Sequence, residues 1–189
     1  LGYNAISAKA LDAHKKAKLP RAYFEWDPMV DANATGSYPY TPAISLFMAA
    51  KEAIAMMEEE GLENIVARHE RMAEGTRRAV RAWDLEILCQ DPKAYANALT
   101  AVMVPEGVNA DQLRAVILEH FDVSLGAGLG KVAGKVFRIG HLGWMNELMV
   151  IGAIAGVELG LGIAGVKHKS GGVQAATDYF GGNAAGHGR

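Results

Sequence analysis

The seven residues from Gly36 to Pro42, GSYPYTP, set two phenols, a threonine, two prolines and a glycine directly ahead of a long apolar run. Thr41 followed by Pro42 suits a helix start, with threonine as N-cap and proline at the first helical position, where its missing N–H costs nothing. The next amides, those of Ala43 and Ile44, would then point out of the helix. Together with the positive end of the helix dipole they form an anion site. The Thr41 hydroxyl and the Tyr38 phenol could add two hydrogen bonds, so a phosphate would suit this corner. A stiff cap whose aromatics pack on a neighbouring surface explains the same residues and is the commoner arrangement.

A second stretch, KVFRIGHLG from Lys135 to Gly143, carries a cation in apolar surroundings. In a strand, Val136 and Arg138 face one way while Phe137 and Ile139 face the other. A partly buried guanidinium requires a planar anion in its fork, either the carboxylate of a ligand or an internal Asp or Glu. Spacing leaves both open. His141 could handle a proton, although a hydrogen-bonded structural histidine is the commoner role. The glycine-rich GAGLGKVAGK before this strand does not read as a nucleotide loop, because phosphate loops lead from a strand into a helix and this one leads into a strand. The six histidines are scattered, with no His-x-x-x-His pair and no cysteine partner, so no metal site is expected. No Ser/His/Asp arrangement is legible.

The elements that must hold these residues follow from periodicity and caps. Ser7–Lys18 reads as a basic amphipathic helix stopped by Pro20, preceded by a half-buried strand in YNAIS. Residues 21–36 read as irregular. From Pro42, the residues Ile44, Phe47, Met48, Ile54 and Met57 recur at helical spacing up to Gly61. Leu62–Trp83 is a second, more charged helix with Ile65, Met72, Val80 and Trp83 on its apolar side. LEILC (85–89) and ALTAVMVP (98–105) are strands. A helix capped by Asn109 presents Leu113, Val116, Ile117 and Phe121. The glycine turn, the Arg138 strand and a closing helix capped by Asn146 follow. Strand, strand, helix, strand, helix suits a small antiparallel sheet with helices on one face. The tail after Lys167 is rich in glycine and polar residues, and its end is expected to be mobile.

The 189 residues carry a formal net charge of -2, with 19 basic and 21 acidic side chains. That excludes the basic footprint of a nucleic-acid binder. The apolar stretch Leu148–Val166 approaches the roughly 20 residues of a membrane span. Glycine and alanine fill almost half of it and no aromatic belt flanks it, so a buried core helix is expected instead. The one cysteine, Cys89, is expected as a buried thiol at a strand end in a reducing compartment, most simply the cytoplasm. The opening LGYNAIS has no signal-peptide features and starts as if in mid-strand, which suggests upstream sequence.

At GSYPYTPAISL, GLENIVARHERMAEGTRRAV, GKVFRIGHLG and SGGVQAATDYF the chain resembles the C-terminal half of the class V aminotransferases, in the serine–glyoxylate and alanine–glyoxylate branch. The resemblance runs from about Leu1 to Phe180. It implies an α/β fold of the fold-type I transferases, dependent on pyridoxal 5'-phosphate. Residues 1–61 would be the C-terminal part of the large cofactor-binding domain, with the end of its α/β sheet. Residues 62–84 would be a connecting helix, and 85–189 a small α+β domain. It also implies a homodimer with the site at the subunit interface. Tyr38 and Thr41 match the residues that reach across the dimer to the cofactor phosphate, and Arg138 matches the arginine that holds the α-carboxylate of the amino acid or 2-oxo acid. The lysine that forms the Schiff base is expected upstream of Leu1. The implied activity is amino transfer from serine or alanine to glyoxylate in the complete enzyme, with the 189 residues inactive alone. A non-catalytic dimerisation module is the alternative. Another class V reaction, a lyase or a desulfurase, is disfavoured because Cys89 falls in a strand rather than on a mobile loop.

Overall fold

The computed structural model describes residues 2–182, and the chain divides into two compact units, Leu1–Glu60 and Gly61–Arg189. The expected mobile end of the tail lies outside the described residues.

The first unit is helical. Helix α1 spans Ala8–Lys16, and the Ser7 hydroxyl accepts the Ala10 amide at 3.2 Å, as an N-cap does. Lys15 and Lys16 occupy its last turn, where the dipole favours cations. Tyr3–Ser7 form no strand. An extended segment becomes a strand only where it finds a partner, and the described residues of this unit contain none. Helix α2, Asp27–Ala34, replaces part of the stretch read as irregular. It starts on Asp27 and Pro28, good first-turn residues, but buries none of its side chains, so it has no apolar period to read. Helix α3 spans Ile44–Glu60.

The second unit holds helix α4 (Leu62–Ala82), strands β1 (Glu86–Ile87) and β2 (Leu99–Met103), helix α5 (Ala110–Phe121), strands β3 (Gly126–Ala127) and β4 (Val136–Gly140), and helices α6 (Glu147–Ile163) and α7 (Gly172–Gly182). The sheet order is β1-β2-β4-β3, antiparallel at every pair. Across β2 and β4, Val102 pairs with Phe137, and Ala101 with Arg138. Because a strand alternates its faces, Val102, Phe137 and Ile139 enter the core with the helices, while Arg138 stands on the other face. Trp83, Met72, Leu113, Ile117, Ile154 and Leu161 complete that core, and each such side chain stabilises the fold by roughly 1.5–3 kcal/mol on burial.

Helix boundaries follow local chemistry. The Asn109 side chain accepts the amides of Asp111 (2.8 Å) and Gln112 (3.1 Å) at the head of α5, and that of Asn146 accepts Met149 (3.0 Å) at the head of α6. Along α6, Gly160 lies so close to Ile117 that a Cβ would come within 2.2 Å of its side chain. Small residues there bring α6 down onto α5. Among the described residues no helix is long and apolar enough to cross a membrane.

Two further sequence readings are revised. Strand β1 ends at Ile87, so Cys89 lies in the following loop and is half-buried, its thiol 3.4 Å from the Asp91 carbonyl. The tail, read as glycine-rich and polar, forms α7 and packs Ala176 and Phe180 into the core. Its docking depends on α4: a Cβ at Gly75 would meet the Phe180 ring at 2.2 Å, and one at Gly172 would meet the Trp83 indole nitrogen at 2.1 Å. The glycines that look like loop composition are contact points between elements.

Candidate functional site

Arg138 lies in the middle of β4, between Ala101 on β2 and Gly126 on β3. Both neighbours are small, which leaves room for the guanidinium to lie across the sheet rather than stand off it. A Cβ built at Gly126 would sit 3.0 Å from Arg138 Nε and 3.1 Å from its Cβ, so the side chain passes directly over that glycine. Arg138 Nε is buried and has no hydrogen-bond partner, and among the described residues no carboxylate comes within ion-pairing distance of this guanidinium. Of the two alternatives left open by spacing, the internal salt bridge is therefore not made. A half-buried cation with an orphaned N–H is matched to an external planar anion.

The loop after β4 is held from two sides. His141 is fully buried, its Nδ1–H donating to the Asn97 carbonyl and its Nε2 accepting the Thr100 hydroxyl, both at 3.0 Å. Burial pushes its pKa down to about 4, the hydrogen bond to Asn97 opposes this, and electrostatic interaction with Arg77 and, to a lesser degree, His69 adds to the lowering. His141 is thus a neutral structural group at physiological pH. From α4, His69 accepts the Gly143 amide at 3.0 Å, and Arg68 donates to the Gly143 carbonyl at 2.8 Å. Sequence reading missed His69 and Arg68, because their partners lie more than seventy residues away.

Tyr38 and Thr41 lie in the first unit. Tyr38 is 45% exposed, its ring 5.2 Å from that of Phe47. Thr41 is exposed and does not cap the helix. Helix α3 begins two residues beyond Pro42, the Ile44 amide bonding to the Pro42 carbonyl at 3.0 Å and the Phe47 amide to the Ala43 carbonyl at 3.1 Å. The prolyl residue and its successor form a tight turn before the helix rather than its first turn. The amides without a backbone acceptor are then those of Ala43, Ser45 and Leu46, whereas that of Ile44, expected to be open, is taken by Pro42. Neither the Tyr38 nor the Thr41 hydroxyl is engaged among the described residues, so a phosphate would meet two free hydroxyls beside a helix N-terminus. Hydroxyl and amide donors of this kind suit a phosphate group.

One group of metal-capable atoms occurs among the described residues: His14, Glu25 and Asp27, within 4.8 Å of one another. Separate elements bring them together, so spacing does not reveal them. Arg21 already lies 2.8 Å from Glu25, and His14 contacts the same carboxylate while stacking on Trp26 at 5.1 Å. The trio is a charge cluster neutralised by an internal cation.

These features, an unpaired arginine on a small antiparallel sheet and free hydroxyls before a helix, occur on a fold shared with the fold-type I pyridoxal-phosphate aminotransferases. Ureidoglycine–glyoxylate aminotransferase from Bacillus subtilis superposes with a TM-score of 0.79 at 24% identity, over 92% of this chain and 46% of that one. No family model matches. In sequence, the serine–glyoxylate aminotransferase of Hyphomicrobium methylovorum is 42% identical over 187 residues, covering 97% of this chain and 46% of that protein. The enzyme of the same name from Methylorubrum extorquens is 44% identical over 186 residues, covering 95% of this chain and 46% of that protein. Over nearly its whole length the chain is similar to the class V aminotransferases of the serine–glyoxylate and alanine–glyoxylate branch, and it spans about half the length of the curated relatives it matches.

Proposed function

We propose that this chain is the C-terminal portion of a pyridoxal-phosphate-dependent transaminase that moves an amino group from serine or alanine to glyoxylate, working as a cytoplasmic homodimer with its site at the subunit interface. Residues 1–61 would complete the cofactor-binding domain, and 85–189 would form the small domain. The observation that carries this reading is the Arg138 guanidinium, half-buried on the sheet face opposite Phe137 and Ile139 with no internal acid. In this role it receives the α-carboxylate of each substrate in turn, and its fork aligns the carboxylate plane and so orients the Cα–H bond. Tyr38, Thr41 and the open amides at the head of α3 bind the phosphate of the cofactor. When bound, that cofactor supplies the electron sink on which amino transfer depends. The lysine that anchors it covalently is expected upstream of Leu1, so no catalytic base is assigned among these residues.

The test is Arg138→Ala in the polypeptide extended to the length of its relatives. Loss of a two-pronged, charge-assisted contact removes roughly 2–4 kcal/mol of binding. KM should rise for the amino donor and for the 2-oxo acid alike, since one carboxylate site serves both half-reactions. Unchanged KM for both substrates would remove Arg138 from this role.

A further inference from the structure

The glycines around β3 have different physical reasons for being glycine. A Cβ at Gly128 would fall 2.1 Å from the Val132 carbonyl oxygen, and Gly130 and Gly134 take positive φ, so backbone geometry accounts for all three. Gly126 has neither excuse. Its φ lies outside the left-handed region, so an L-residue could adopt its backbone without strain. The three heavy atoms nearest a Cβ at that position all belong to Arg138: Nε at 3.0 Å, Cβ at 3.1 Å and Cζ at 3.4 Å. The cross-strand register agrees, since Gly126 pairs directly with Arg138.

We propose that Gly126 is a positioning residue for Arg138: its missing side chain is the space in which the arginine lies, and this aims the guanidinium at its anion. On the other flank Ala101, the β2 partner of Arg138, is also small, so the stem is bounded by a methyl on one side and by bare backbone on the other. Directly opposed residues on one face of an antiparallel pair have Cβ atoms only about 4.5–5.5 Å apart. Any side chain at 126 must therefore share that space with the arginine stem. A methyl at Gly126 meets Nε (3.0 Å) and Cβ (3.1 Å) of Arg138 closer than ordinary van der Waals contact. The contact with Nε is relieved by rotation of the arginine stem and that with Cβ by a shift of a few tenths of an ångström between the strands, and both displace the terminal nitrogens. Displacements of this size matter for a two-pronged contact, because an error of about 1 Å in a bound group can cost on the order of a hundredfold in rate. The catalytic consequence rests on the carboxylate role proposed above, whereas the coupling of the two residues does not.

The test uses Gly126→Ala and Gly126→Val, with Gly152→Ala as control, since Gly152 is an exposed helical glycine with nothing within 4 Å of a Cβ. The first readout is the Nε–H cross-peak of Arg138 in the 15N–1H spectrum of the 189-residue chain, assigned by its loss in Arg138→Lys. The second is steady-state kinetics of the same variants in the full-length polypeptide. We expect Gly126→Ala to move the Arg138 cross-peak and to raise KM for amino donor and 2-oxo acid about tenfold, with kcat within about twofold. Gly126→Val should move both further, and Gly152→Ala should move neither. An unmoved cross-peak in both Gly126 variants overturns the proposal, even if KM changes, because the effect would then reach the substrate by another route. A displaced cross-peak with unchanged KM upholds the positioning of the guanidinium and instead sinks its carboxylate role.

Discussion

Glu158 is the one charge in the apolar stretch of α6, and a single carboxylate there ties three elements together. Its Oε1 accepts the Gly171 amide at 2.7 Å, and its Oε2 accepts the Val173 amide at 2.9 Å and the Trp83 indole N–H at 3.0 Å. It thereby caps α7 from α6 while fixing the end of α4. Burial pushes its pKa up, but the hydrogen bonds from Gly171, Trp83, Val173 and Gly172 outweigh burial, and the net is a lowering. Glu158→Gln keeps the shape and removes one acceptor. With its nitrogen in the Oε1 position, the amide faces the Gly171 N–H; with its nitrogen in the Oε2 position, it faces two donors. At least one donor–donor contact results, costing about 1–3 kcal/mol for the orphaned group, and the remaining bonds lose their charge assistance. We expect Glu158→Gln to lower the unfolding free energy by about 2–3 kcal/mol at pH 7 in urea titrations followed by far-UV circular dichroism. Protection of the α7 amides against hydrogen exchange should fall with it. The sign of the pH dependence follows from the lowered pKa: the wild-type advantage is complete above the ordinary glutamate value and is lost as pH falls through the folded value. The gap between wild type and variant should therefore be constant above about pH 5 and close in acid. A difference under ~0.5 kcal/mol at pH 7, or a gap unchanged down to pH 3, would refute this account of how α7 is held.

Three further outcomes are expected. His141 titrates near 6.5 when unfolded and near 4 in the fold, so the unfolded chain binds the extra proton first. Stability should fall as pH drops from about 6.5 towards 4, by an amount on the order of 3 kcal/mol, and urea unfolding of His141→Gln should show a flatter profile across that window. Gly75→Ala, a change that usually helps a helix, should destabilise by about 1–3 kcal/mol through its clash with the Phe180 ring, and a double-mutant cycle with Phe180→Ala should show strong coupling between them. In the full-length polypeptide, Thr41→Ala and Tyr38→Phe should each weaken retention of pyridoxal phosphate by about 1 kcal/mol, read as a rise in its dissociation constant. Unchanged retention in both would return the Tyr38 corner to a purely structural role.

Much of the second unit was legible because its signals are local. Asn109 and Asn146 cap the helices they were expected to cap, and the alternation in VFRIG puts Phe137 and Ile139 in the core and Arg138 on the opposite face. Cap chemistry and strand alternation act within a few residues, so spacing records them. The elements misread are those whose reason lies far away in the chain. Helix α7 is a polar, glycine-rich segment until Gly75, Trp83 and Glu158 supply a groove, an edge and a cap for it. Thr41-Pro42 has the composition of a helix start, but the helix begins at Ile44 because the Pro42 carbonyl takes the Ile44 amide in a turn.

The candidate site divides along the same line. Residue types and alternation alone established that Arg138 would face the side opposite Phe137 and Ile139 with an anion to find, and that a rigid hydroxyl cluster would precede a helix. Whether the arginine's anion was internal depended on which side chains the fold brings within about 4 Å, a question of distance between residues remote in sequence. Packing answered it by placing Gly126 and Ala101, not an acid, beside Arg138.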